Sequence, residues 1–175
     1  YAKWLKRYQG KLKDSREDFV RHHKDKYGGT LPVWAAAEVL DWGMLAHLYS
    51  MSPRTAQNKV ANVVNLTSPQ LESWLKALNI VRNIAAHHGR MYNRVYGQRP
   101  KLPRMGRCDG LLECEAVMNR VFGQLTLVQY LLKVLNVGSV RLLPATLMDF
   151  PDSAIVSLRD TGAPEEWKQN DLWKF

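Results

Sequence analysis

Apolar residues recur along this chain at intervals of three and four, and no stretch alternates in the way a half-buried strand would. From residue 3 to 26 a sparse stripe of Leu5, Tyr8, Leu12, Phe19 and Val20 runs through heavily charged sequence, and Gly28-Gly29 stops it. A second helix is expected from Pro32, in its first turn, to about Tyr49. Pro53 opens a short helix ending near Val64. The best-signalled helix lies in "NLTSPQLESWLKALNIVRNIAAHH", with Ser68 as N-cap, Pro69 at the first helical position, and Thr67 and Gln70 spaced for a capping box. Residues 97–110 read as a Pro/Gly/basic loop. A long helix from Leu111 to Asn136 and a short one over Leu142 to Met148 then precede an irregular C-terminal segment. The pattern predicts an all-α protein, with residues 1–175 forming a single-domain helical bundle.

With 175 residues, 46% of them hydrophobic, the chain can bury a core. Its 25 Lys and Arg against 16 Asp and Glu favour a polyanionic partner, nucleic acid before membrane. The excess is local. Between Glu72 and Asp109 there is no acidic residue, while Lys76, Arg82, Arg90, Arg94, Arg99, Lys101, Arg104 and Arg107 are all cationic. Tyr92 and Tyr96 interleave with them, as in a surface that stacks bases and holds phosphates, and residues 142–175 are net acidic. Cys108 and Cys114 read as reduced thiols, because C-x5-C is neither a disulfide framework nor a usual zinc spacing. The apolar run 121–135 is too short and too interrupted to span a bilayer, so no membrane partner is expected. No secretory signal opens the sequence, so a cytoplasmic location is expected; because it starts at Tyr1 rather than Met, the natural N-terminus is expected upstream.

The stretch "VRNIAAHHGRMYNR" holds the candidate chemistry. On a helix continued through Tyr92, Glu72, Lys76, Asn79, His87 and Arg90 fall within about 40° of Asn83. Trp74, Leu78, Val81, Ala85 and Tyr92 then form the opposite, core-facing stripe, and His88 sits at its edge as a buried or partner-contacting histidine. Adjacent histidines point about 100° apart on a helix and cannot chelate one metal together, so no metal or other cofactor is expected. Phosphate-loop, dinucleotide and nucleophile-elbow signatures are absent from the sequence. An Arg–Asn–His set on a basic surface suits RNA cleavage, in which the ribose 2′-OH is itself the nucleophile. Histidine can move the protons, arginine can hold the phosphate, and asparagine can orient imidazole or ribose. A helix-turn-helix in "SPRTAQNKVANVV" is the DNA-binding rival, with only Arg54 and Lys59 to meet phosphates.

"RNIAAHH" resembles the R-x4-6-H motif of HEPN domains, and "RNIAAHHGRMYNR", with "WLKALNIV" upstream and the terminal "GAPEEWKQNDLWKF", resembles the Abi-like proteins of the abortive-infection AbiD/AbiF type. The resemblance implies an all-α homodimer with facing motifs, metal-independent RNA endonuclease activity and a toxin-like role in phage defence. It assigns catalysis to Arg82, Asn83 and His87, with His88 as an alternative or supporting residue. It gives Arg90, Asn93 and Arg94 RNA-binding roles, and the basic loop adds Lys101, Arg104 and Arg107. The partners implied are RNA, a second copy of the chain, and a neutralising RNA or protein. The alternative function is a non-catalytic RNA-binding HEPN module regulated by such a partner.

Overall fold

The computed structural model describes residues 1–104, 109–151 and 153–174. Every regular element among them is helical, and the one strand-like pairing is an isolated bridge between Val95 and Arg120. The all-α expectation therefore holds. The chain divides into two compact units, Tyr1–Pro53 and Arg54–Phe175.

The first unit carries α1 (Ala2–Asp14), α2 (Asp18–Tyr27), α3 (Val33–Val39) and α4 (Trp42–Met51). The helix expected over residues 3–26 breaks after Asp14, where Ser15 and Glu17 are extended and the Ser15 hydroxyl accepts the Glu17 N–H. Serine offers the backbone this alternative to helix. The helix expected from Pro32 to Tyr49 also breaks, because Asp41 caps α4 by accepting the Met44 N–H at 2.9 Å. The same carboxylate pairs with Arg7 at 2.8 Å and Lys11 at 3.5 Å, and Trp4 Nε1 donates to the Met44 carbonyl. Gly28 ends α2 in the left-handed conformation.

The second unit carries α5 (Arg54–Val63), α6 (Ser68–Ala86), α7 (Asp109–Leu112), α8 (Val121–Leu135) and α9 (Leu142–Met148). Thr67, not Ser68, is the N-cap of α6, and it closes the capping box with Gln70. The helix expected from Leu111 to Asn136 is instead α7, a 3-10 turn over Glu115–Val117, and α8. Gly123 explains the fold-back: a Cβ there would lie 2.3 Å from the Val117 carbonyl oxygen, so only glycine lets the turn close on α8. Trp74 and Tyr130 meet edge to face at 5.3 Å, while Phe122 stacks on Trp173 at 4.8 Å. The C-terminal segment is held to α8 by Gln129, which donates to the Val140 and Leu172 carbonyls. Among the described residues no helix is long and apolar enough to cross a membrane.

Candidate functional site

Helix α6 buries Leu71, Trp74, Ala77, Leu78 and Val81 and leaves Lys76, Ile80, Arg82 and Asn83 exposed. It ends sooner than its sequence suggests. The His87 N–H still donates to the Asn83 carbonyl at 3.1 Å, so His87 stays on the helical path one turn beyond Asn83. The His88 N–H then donates to the Ala85 carbonyl and the Gly89 N–H to the Ile84 carbonyl at 2.8 Å, the two bonds of a Schellman stop. The left-handed position of that stop, which favours glycine, is occupied by His88, at φ 52°. A non-glycine residue there costs on the order of 1 kcal/mol. Gly89 fits closely next to it: a Cβ would lie 3.0 Å from Ile84 Cγ2 and 3.1 Å from the Ile84 carbonyl oxygen, so a side chain there would press on Ile84.

This stop corrects three expectations. Arg90 and Tyr92 leave the helical wheel, because the helix ends at Ala86. Ala85 is exposed rather than part of the core stripe, since the chain turns away before anything covers it. His88 is exposed, not buried at the stripe's edge, because the left-handed turn swings it off the helix.

Arg82, Asn83, His87 and His88 all face solvent, and Arg82 Nη1 donates to Asn83 Oδ1 at 3.1 Å. Neither imidazole hydrogen-bonds any described residue, so both ring edges are open to a ligand. Arg82 and His87 project about 140° apart around α6. The structure brings Arg82 to Asn83, and regular helix geometry directs Arg82 and His87 to different sides.

The loop after the stop is fixed. Met91 packs against the Val81–Tyr96–Val121 cluster, with Ile84 and Leu125 beside it. The Tyr92 hydroxyl donates to Asp160 Oδ2 at 2.5 Å and accepts the Ser157 N–H at 3.0 Å, while its ring stacks on Phe150. The Asp160 bond raises the Tyr92 pKa above that of an ordinary tyrosine, with desolvation adding to it. Asn93 is left-handed, and its Oδ1 accepts Arg120 at 2.7 Å. Arg120 also donates to the Asp160 carbonyl at 2.7 Å. Arg90 and Arg94 are exposed, and the Arg94 guanidinium donates to the Arg90 carbonyl.

The expected aromatic interleaving does not form. Tyr96 is 4% exposed within the apolar core, and the half-buried Tyr92 is engaged on its ring by Phe150 and on its hydroxyl by Asp160. Arg120, Phe150, Ser157 and Asp160 escaped the sequence reading. They lie 27 to 68 positions from the residues they hold, and no local pattern announces them.

Lys101 and Arg104 are exposed on a strand of loop that α6 pins in place. Ser73 Oγ accepts the Lys101 N–H at 2.8 Å, Trp74 Nε1 donates to the Lys101 carbonyl at 2.9 Å, and Gln70 Nε2 donates to the Leu102 carbonyl at 2.8 Å. Thirteen residues separate Trp74 from His87, or about 20 Å of helix. The two basic groups are therefore separate surfaces. Arg107 and Cys108 lie outside the described residues; Cys114 is a buried free thiol. Among the described residues no three His, Cys, Asp or Glu side chains gather as a metal cluster.

A model of the Abi-like protein family matches residues 1–93, just over half of the chain and the whole of α1 to α6 with the Arg–Asn–His–His stretch. The chain belongs to the Abi-like protein family. No curated protein and no solved structure matches it. The loop partners Arg120, Phe150, Ser157 and Asp160 of this Abi-like chain all lie beyond the matched part.

Proposed function

We propose that this Abi-like protein is a metal-independent RNA endonuclease of HEPN type, acting as an abortive-infection effector in the cytoplasm. The observation that carries the reading is the end of α6. There an exposed Arg82–Asn83 contact stands one turn before two open imidazoles, in a stretch with no acidic residue from Ser73 to Cys108. His87 takes the 2′-OH proton as base, and the oxygen attacks its own phosphorus. A second imidazole protonates the departing 5′ oxygen. Arg82 balances the charge on the phosphate, with Asn83 holding its guanidinium toward the site. The products are a 2′,3′-cyclic phosphate and a 5′-hydroxyl. Because Arg82 and His87 diverge on one helix, the active unit is a homodimer in which the α6 ends of two copies face each other across a two-fold axis. A neutralising RNA or protein would act by covering that face.

The test incubates labelled single-stranded RNA with the protein in EDTA. Cleavage to a cyclic phosphate is expected, and a 2′-deoxyribose at the cut site should abolish it. Mixing in an excess of Arg82→Ala/His87→Ala chains should lower activity per wild-type chain as heterodimers form. Equal cleavage of DNA, or inhibition by EDTA, would overturn the mechanism. RNA binding without cleavage would leave the RNA-binding module instead.

A further inference from the structure

We infer that Tyr92, Asp160 and Arg120 are positioning residues for the histidine pair, so that the C-terminal segment braces a site it does not belong to. The inference rests on the nuclease reading above for what the brace serves, and on the hydrogen bonds alone for its existence.

The argument starts at His88. A histidine held left-handed persists only where its surroundings over-determine the backbone. On the upstream side the two Schellman bonds fix it. On the downstream side Met91 packs on the Val81 cluster, and two successive residues beyond it are held by side chains from far along the chain. Tyr92, four positions after His88, is clamped by Asp160 Oδ2 at 2.5 Å and by the Ser157 N–H at 3.0 Å. Asn93, itself left-handed at φ 51°, is clamped by Arg120 at 2.7 Å. Arg120 and Tyr92 converge on one residue, because Arg120 also donates to the Asp160 carbonyl. The space for this is built in. At Gly162, left-handed at φ 90°, a Cβ would fall 2.6 Å from Arg120 Cβ.

Left-handed His88 and left-handed Asn93 thus bracket the segment that follows His87, and Asp160 and Arg120 hold its far end at Tyr92 and Asn93. None of the three bracing side chains is at the helix end itself. They fix the direction of the imidazoles, and the chemistry remains with the imidazoles.

The experiment compares Tyr92→Phe, Asp160→Ala and the double variant with wild type. Each single change should lower kcat for RNA cleavage by about tenfold or more with KM little changed, because misplacing a proton donor costs rate before binding. The double variant should be no slower than Tyr92→Phe alone, since the bond lost with Asp160 is one of those already lost with the Tyr92 hydroxyl. Amide hydrogen exchange over residues 88–96 should speed up in all three, no further in the double variant than in Tyr92→Phe, while thermal midpoints move only a few degrees. Wild-type kcat in the single variants, or additive losses in the double, overturns the positioning role. If the wild-type protein cuts no RNA, the nuclease reading fails by itself. Hydrogen exchange then decides the brace, with unchanged protection of residues 88–96 in the variants overturning it.

Discussion

The two ends of α6 belong to one helix and obey different rules. Its first three turns are capped by Thr67 and Gln70, seat Trp74 fully buried against Tyr130, and spend Gln70, Ser73 and Trp74 on pinning the loop at residues 101–102. Its last turn exposes Arg82, Asn83 and Ala86, then ends on a strained histidine where a glycine would serve. In the first region Gln70, Ser73 and Trp74 turn their polar atoms to protein, and packing sets their identity. In the last region the polar groups face water, and packing sets none of them. Residues that a fold does not need, held in a conformation it pays to maintain, are where function is to be sought.

The largest effect that sharpens this contrast is Trp74→Ala. Removing the buried ring and leaving the Lys101 carbonyl without its donor should destabilise the second unit by about 3–5 kcal/mol, read by chemical denaturation. Next, His87→Ala should lower RNA cleavage by at least about a hundredfold while changing stability by no more than about 0.5 kcal/mol. Loss of stability in place of rate would erase the distinction between the two ends. His88→Gly should raise stability by up to about 1 kcal/mol in a thermal melt, because glycine relieves the left-handed strain. A lower melting point would mean that the imidazole makes a contact the helix end relies on. The smallest effect concerns the pinned loop. Replacing Lys101 and Arg104 with glutamine should leave cleavage of a short oligonucleotide unchanged and flatten the salt dependence for long RNA, by at most about 0.7 in slope per lost contact. A slower cut of the short substrate would join the two basic surfaces into one.

The parts of the molecule that were legible from sequence are those written locally. The 3.6-residue stripe of α6, its capping box, and the glycine that stops α2 are each encoded within a few residues. The breaks at Ser15 and Asp41 were missed because a single polar residue that can cap a helix can also sit quietly on its face. The fold-back before α8 depends on how closely Gly123 approaches Val117, a distance that sequence spacing does not reveal. At the candidate site the i to i+4 relation of Asn83 and His87 is legible, since one turn of helix is predictable geometry. The placement of His88 is not, because the glycine signal for a left-handed stop lies one residue too late, at Gly89. The tyrosines were misjudged for a different reason. Basic neighbours suggest bases as their stacking partners, whereas Tyr92 stacks on Phe150, 58 positions away, and Tyr96 packs with Val81 and Val121.

The anchoring of Trp74 and Val81 also bears on how such chains can be recombined. The family match stops at residue 93, yet Tyr130 covers the Trp74 ring, the Lys101 carbonyl takes its N–H, and Tyr96 and Val121 close over Val81. A chimera joined at that limit would inherit a helix end from one parent and its lid from another. A crossover between the cap at Thr67 and Asp160 would therefore have to bring matching partners for both the tryptophan and the tyrosine clamp.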